Sequence, residues 1–116
     1  MTHSEGLIIC AGALDRFGEK HQMVKAIEEM GELTRALCKR VADAEDVDVD
    51  NICEEIADLE ITITQLHMIF DDGLIQKKKA EKLTALRERV NGWRNGKLRQ
   101  LAEHLKGDCG GDACRL

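Results

Sequence analysis

Apolar residues recur along this chain at intervals of three and four positions, which is the spacing of one face of an α-helix. The clearest example lies between residues 51 and 70, where successive intervals are 4, 3, 4, 3 and 4 residues. Its members are Ile52, Ile56, Leu59, Ile63, Leu66 and Phe70. This heptad-like seam predicts a helix that packs against other helices in a bundle.

The same periodicity predicts four further helices, over about residues 5–17, 20–42, 74–90 and 93–106. In the second helix of the chain the apolar stripe consists of Met23, Ile27, Met30, Leu37 and Val41, widened by Ala26, Leu33 and Ala36. A stripe of this width is typical of a helix that buries one face in a core.

Turn-forming residues separate these helices. Gly18 is expected to end the first helix, and the aspartate-rich segment 43–50 to end the second. Asn51 then fits the N-cap of the third helix, with Glu54 completing a capping box. The sequence Asp-Asp-Gly at 71–73 predicts the turn before the fourth helix.

Composition supports an all-α fold. The 116 residues include no proline, and only 3% are aromatic. Helix interiors exclude proline, whereas β-sandwiches and barrels are rich in aromatic and β-branched residues. We therefore predict one all-α domain over residues 1–106 and a flexible tail at 107–116. Short helices bury a modest core, so we expect a four-helix-bundle-like core completed by oligomerisation.

The five cysteines fall into two groups. Cys10, Cys38 and Cys53 lie in apolar helical runs and are interpreted as small core residues in a reducing compartment. Cys109 and Cys114 lie in the glycine-rich tail. A C-x4-C spacing alone is a weak metal or redox signal, and a disordered end is the expected reading.

No apolar run approaches the roughly 18 to 20 residues that a membrane span needs. The most apolar stretch, residues 7–14, is too short, and no basic segment precedes it as in a signal peptide. We therefore expect a cytoplasmic protein that does not contact a membrane.

The net charge of −5 hides a strong asymmetry along the chain. Residues 28–60 contain 12 acidic and three basic residues, a net charge of −9. Residues 77–99 contain nine basic and two acidic residues, a net charge of +7. Two explanations need both an acidic and a basic segment. One is packing of the two segments against each other, and the other is a site that binds a metal ion and a phosphate.

Two pairs of acidic residues stand out in the acidic segment. Glu29 and Glu32 are three residues apart on the second helix, and Glu55 and Asp58 repeat this spacing on the third, so each pair shares a helix face. A short loop joins the two helices, which predicts antiparallel packing with both pairs at one interface. Carboxylates that close repel one another unless a cation binds. All-oxygen ligands suit Mg²⁺, with Mn²⁺ as the alternative.

The basic segment supplies a counterpart for phosphate. Lys79 lies on the apolar stripe of the fourth helix, four residues before Leu83, and Lys82 follows at i+3. Either lysine could simply extend its ammonium group into solvent at a bundle edge. Together with an acidic metal site, both are candidates for binding phosphate oxygens.

The segments EEMGEL (28–33) and EEIADLEI (54–61) resemble the MazG-like all-α nucleoside triphosphate pyrophosphohydrolases. The family pattern is E-x-x-E, a spacer of around twenty residues and E-x-x-D, and here 22 residues separate Glu32 from Glu55. Gln22 and KKKAEKL (77–83) are similar to the small phage-type members. The resemblance covers roughly residues 17–92.

This resemblance implies Mg²⁺-dependent hydrolysis of a nucleoside or deoxynucleoside triphosphate to the monophosphate and pyrophosphate, in house-cleaning or nucleotide-pool control. It also implies a homodimer or homotetramer. The implied site residues are Glu29, Glu32, Glu55 and Asp58 for the metal, Lys79 and Lys82 for the phosphates, and Gln22 for the base. Glu29 or Glu32 is expected to act as the catalytic base. The related phosphoribosyl-ATP pyrophosphatases are an alternative within the same class.

Other function classes fit less well. A di-iron bundle needs Glu-x-x-His pairs, but the residues three before His21 and His67 are glycine and threonine. A P-loop NTPase is excluded because its glycine-rich motif is missing. A net charge of −5 and few aromatic residues disfavour a nucleic-acid partner. A non-enzymatic helical oligomerisation or adaptor module is the alternative from a different class.

Overall fold

The computed structural model describes residues 1–92 and 95–113 and confirms the all-α fold. Over those residues the chain forms five helices and no strand: α1 (His3–Phe17), α2 (Glu19–Val41), α3 (Val49–Ile69), α4 (Asp72–Asn91) and α5 (Asn95–Ala113). Helix α5 extends beyond the predicted end near residue 106. Cys114 and the side chain of Cys109 lie outside the described part. None of the helices searched is long and apolar enough to cross a bilayer.

Helix α1 has a well-defined cap at each end. The side-chain oxygen of Thr2 accepts a hydrogen bond from the backbone N–H of Glu5 at 3.1 Å, and Glu5 Oε2 accepts one from the backbone N–H of Thr2 at 2.6 Å. This reciprocal pair is a capping box. Gly18 ends the helix as predicted, with φ of 90° and its N–H bonded to the carbonyl of Leu14. Glycine adopts this positive φ without steric cost.

The prediction that Asn51 caps α3 is wrong. The helix begins three residues earlier, and its N-cap is Asp48. The carboxylate of Asp48 accepts hydrogen bonds from the backbone N–H groups of Asp50 at 2.9 Å and Asn51 at 3.4 Å. An ionised carboxylate satisfies the free N–H groups and also interacts favourably with the positive end of the helix dipole. Asp48 therefore occupies the N-cap position, and Asn51 lies within the first turn of the helix.

The chain divides into two compact units, Met1–Asp72 and Gly73–Leu116. The first unit contains α1, α2 and α3, and the second contains α5 and all of α4 after its first residue. The single domain predicted over residues 1–106 stays a prediction, and each unit is described by itself. In the first unit α2 and α3 form the main helix–helix interface, and α1 contacts both.

Small apolar side chains and polar side chains form the interface between α2 and α3. Ala26 and Ala36 are the buried apolar residues of α2, and Ala26 is 1% exposed. The polar residues buried beside them are Gln22, Glu29, Thr62 and Gln65. Alanines allow two helices to approach closely, which brings the longer polar side chains on the same faces into contact. The candidate site therefore lies on the face of α2 that carries both Ala26 and Glu29, which are three residues apart.

The apolar faces predicted as core are buried at Ala26 and Ala36 and partly buried at some larger positions such as Leu59. Other large members remain exposed, and for those the core prediction is wrong for the single chain. On α2, Ile27 is 65% exposed and Val41 is 84% exposed. On α3, Ile63 and Phe70 of the heptad-like seam are 41% and 54% exposed. Because α2 and α3 meet through alanine and polar residues, their large apolar side chains lie to either side of that contact.

Candidate metal centre

Three of the four predicted carboxylates lie together. One carboxylate oxygen from each of Glu29, Glu32 and Glu55 falls within 4.8 Å of the other two. We call these three residues the carboxylate cluster. Glu29 and Glu32 occupy successive turns of α2, and Glu55 reaches them from α3. Glu29 is buried, Glu55 is partly buried and Glu32 is exposed, so the cluster extends from the helix interface to solvent.

The direction of packing explains this arrangement. Gln22 bonds to Gln65, whereas Glu29, seven residues later on α2, meets Glu55, ten residues earlier on α3. Contacts that advance along one helix while they recede along the other require antiparallel helices. The predicted antiparallel packing is therefore confirmed, and with it the meeting of Glu29 and Glu32 with Glu55.

Two oxygen atoms of the cluster are buried without a hydrogen-bond partner, Oε2 of Glu29 and Oε2 of Glu55. A buried polar atom that is unpartnered costs free energy, and an ionised carboxylate costs more than a neutral group. A divalent cation shared by the three carboxylates would offset the charge that they bring together, and carboxylate oxygens are the ligands that Mg²⁺ and Mn²⁺ prefer. The residues present therefore fit such an ion.

Electrostatic crowding has a direct effect on Glu55. Partial desolvation raises the pKa of its carboxyl group, and a hydrogen bond with Glu32 raises it further. The negative charges of Glu32, Asp58 and Glu29 act in the same direction. A raised carboxyl pKa means that the folded protein resists the fully ionised cluster. Binding of a cation would remove this resistance.

Asp58, the fourth predicted ligand, is exposed and lies outside the group of three. Its charge nevertheless contributes to the raised pKa of Glu55. Lys79 and Lys82 belong to the second unit, where they line a surface groove of about 500 Å³ together with apolar residues such as Leu83 and Leu86. The predicted metal-binding role of Asp58 and the predicted phosphate-binding role of the lysines stay predictions.

Gln22, the residue expected at the base pocket, belongs to a chain of polar contacts in the first unit. Its Nε2 donates to Gln65 Oε1 at 2.8 Å, and both side chains are buried. Its Oε1 accepts a hydrogen bond from His21 Nδ1 at 2.8 Å. The ring of His21 stacks on Phe17 with 5.4 Å between centroids. The Gln22 amide is thus held at both ends, which fixes the positions of its donor and acceptor.

Gln65 is not among the site residues predicted from the sequence. Gln65 lies seven residues after Asp58, two helical turns further along the same side of α3. A polar residue in that position carries a signal, because with Thr62 it continues the polar side of α3 on which Glu55 lies. The predicted core seam drew attention to the neighbouring apolar positions, including Leu66.

Gln65→Leu is expected to lower the free energy of unfolding by about 1–3 kcal/mol, because the buried Nε2 of Gln22 loses its partner. The double variant Gln22→Leu/Gln65→Leu should recover most of this loss, since no unpaired amide remains between the helices. Urea unfolding followed by circular dichroism measures both values. Strictly additive losses in the double variant would show that the two amides do not interact.

The family resemblance rests on the two acidic motifs and their spacing. No family model, curated protein or solved structure matches the chain. Membership of the MazG-like family therefore stays a prediction that rests on the residues of the two motifs.

Proposed function

We propose that this protein is a Mg²⁺-dependent nucleoside triphosphate pyrophosphohydrolase of the MazG-like type, which hydrolyses an NTP or dNTP to the monophosphate and pyrophosphate. The observation that carries the proposal is the pair of buried, partnerless oxygens on Glu29 and Glu55. They belong to a three-carboxylate cluster whose motifs have the spacing of that family. Mn²⁺ is the alternative ion for the same oxygen ligands.

In this proposal Glu29, Glu32 and Glu55 hold the cation, with Asp58 as a fourth ligand. When bound, the ion neutralises phosphate charge and lowers the pKa of a water molecule. Glu32 is the more exposed of the two candidate bases. A carboxylate oxygen of Glu32 is therefore the better placed to accept the proton of the water that attacks the α-phosphorus.

The remaining roles concern substrate binding. Lys79 and Lys82 are proposed to bind phosphate oxygens, which would stabilise the charge on the departing pyrophosphate. Gln22 is proposed to read the edge of the base. Beyond its bonds to Gln65 and His21, its amide keeps one N–H and one oxygen lone pair for this role.

We also propose that the active form is a homodimer or homotetramer in the cytoplasm. The apolar side chains left exposed on both α2 and α3, including Ile27, Ile63 and Phe70, support self-association. Cys10, Cys38 and Cys53 are free thiols, which suits a reducing compartment. Cys10 is buried as predicted, whereas Cys38 and Cys53 are exposed, so the prediction that they are core residues is wrong.

The test is pyrophosphate release from a panel of ribo- and deoxyribonucleoside triphosphates, with Mg²⁺, with Mn²⁺ and with EDTA. We expect at least one triphosphate to yield monophosphate and pyrophosphate in equal amounts, and EDTA to abolish the reaction. Phosphoribosyl-ATP belongs in the same panel. Release of orthophosphate and a diphosphate would contradict the proposed site of cleavage.

A thermal-unfolding measurement separates the enzyme from an adaptor module. Ligands that bind only the folded state raise its stability, so Mg²⁺ with the preferred nucleotide should raise Tm. An adaptor that uses its helices for partner binding should not respond. Absence of both hydrolysis and metal-dependent stabilisation would overturn the proposed function.

A further inference from the structure

Lys25 lies one helical turn before Glu29 on α2 and contacts the carboxylate cluster. Its Nζ is 3.3 Å from Oε1 of Glu29 and 3.6 Å from Oε2 of Glu28. About half of the Lys25 side chain is exposed, whereas that of Glu29 is 8% exposed. The lysine therefore reaches from the protein surface to a buried carboxylate.

The two oxygens of Glu29 have different surroundings. Oε1 faces the ammonium group of Lys25, whereas Oε2 is buried without a partner. In the cation-free protein Lys25 thus neutralises part of the charge that Glu29 brings into the cluster. The lysine side chain is a flexible stem with a compact charge at its end, so it can leave this contact at small cost.

A divalent cation held by Glu29 and a lysine paired with the same carboxylate repel each other at short range. We propose that Lys25 is the counter-ion of the empty carboxylate cluster, and that binding of the divalent cation displaces it from Glu29 so that it binds a substrate phosphate. This inference rests on the proposed function, because it takes the cluster to be the metal site. It assigns a role to a residue outside the two acidic motifs.

The first experiment measures Mn²⁺ binding to the nucleotide-free full chain by titration calorimetry. Lys25→Gln removes the competing charge and is expected to bind Mn²⁺ at least about threefold more tightly than the unaltered protein. Lys20→Gln is the matched control, since it removes the same charge from an exposed position on α2. Lys25→Arg keeps the charge and should retain the original affinity.

The second experiment measures binding of inorganic tripolyphosphate in saturating Mg²⁺, which presents the phosphate chain without a base or sugar. Lys25→Gln is expected to weaken this binding at least about tenfold, whereas Lys20→Gln should not change it. The predicted signature is therefore opposite in the two experiments, with a gain for the cation and a loss for the phosphate. A lysine that only stabilises the helix would not produce that signature.

The outcomes separate this inference from the proposed function. If the unaltered protein binds Mn²⁺ but Lys25→Gln binds it no more tightly than Lys20→Gln does, the counter-ion role is wrong and the metal site stands. Unchanged tripolyphosphate binding in Lys25→Gln overturns the phosphate contact. If the unaltered protein binds no Mn²⁺, both the metal site and the role of Lys25 are overturned.

Discussion

Glu55→Gln is expected to lower Mg²⁺-dependent pyrophosphate release by at least about 100-fold and, at the same time, to raise the thermal stability of the cation-free protein. The loss follows because the variant removes a ligand charge and one of the two buried, partnerless oxygens of the cluster. The gain follows because Glu55 is surrounded by the charges of Glu32, Asp58 and Glu29. Activity assays and thermal unfolding in EDTA measure the two effects.

The stability effect has a defined dependence on pH. The pKa of Glu55 is raised in the folded protein, so the folded state holds this proton more tightly than the unfolded state. The favourable contribution is fully present below the ordinary carboxyl pKa and is lost as pH rises through the raised pKa. The difference in Tm between Glu55→Gln and the unaltered protein should therefore grow as pH rises across that interval and then level off.

Glu54→Gln is the matched control, since this neighbouring residue is exposed and the substitution removes the same charge. We expect it to retain activity and to leave Tm nearly unchanged at each pH. Glu32→Gln and Asp58→Asn should also reduce activity if both residues bind the cation. Full activity in folded Glu55→Gln would exclude the carboxylate cluster as the metal site.

The sequence was sufficient to predict helices because their signals are local. Spacing of three and four residues defines a helix face wherever it occurs, and Gly18 ends α1 by its own conformational freedom. The start of α3 was missed because both Asp48 and Asn51 are good N-cap residues. Sequence alone does not say which of two adequate caps the chain uses.

The buried face of α2 was harder to predict, because the helix has two stripes at helical spacing. One carries large apolar residues such as Ile27 and Val41, and the other carries Ala26, Glu29 and Ala36. The predicted core face includes the alanines only as an extension of the first stripe, yet α3 packs on the second. Close approach of two helices needs small residues, and a carboxylate can be buried there if a cation binds it.

Contacts of the candidate site that lie within one helix are easier to predict from the sequence than contacts between two helices. Glu29 and Glu32 share a face of one helix, so their spacing alone brings them together. The contacts of Glu55 with Glu32, and of Gln22 with Gln65, depend on the register between two helices. That register is set by tertiary packing, which explains why the sequence pattern does not indicate Gln65. Lys25 differs, because its contact with Glu29 follows from the i,i+4 spacing on one helix.

The second prediction concerns the heptad-like seam of large apolar residues on α3, where Ile63 is replaced by arginine. Ile63 lies at the middle of the heptad-like seam of α3 and is 41% exposed in the single chain. If the seam is the contact between copies, each copy loses the burial of the exposed part of one isoleucine, about 0.6–1.2 kcal/mol, so a pair loses about 1.2–2.4 kcal/mol. The cost of placing an arginine charge in the contact adds to this loss. The dissociation constant of the oligomer should rise roughly ten- to a hundredfold.

Light scattering coupled to size-exclusion chromatography measures this effect. The unaltered protein should elute with a mass that is a multiple of the 13.0 kDa chain, and Ile63→Arg should shift towards 13.0 kDa on dilution. Glu60→Gln is the charge-matched control, because it changes the net charge of α3 by the same amount at an exposed position without altering the seam. An unchanged mass in Ile63→Arg would place the contact on another surface, whereas a monomeric unaltered protein would contradict self-association itself. Each copy exposes apolar side chains on the same two helices that carry the carboxylate cluster, so dissociation of the oligomer should also lower the rate of hydrolysis. If Ile63→Arg becomes monomeric but keeps full activity, one chain holds a complete site.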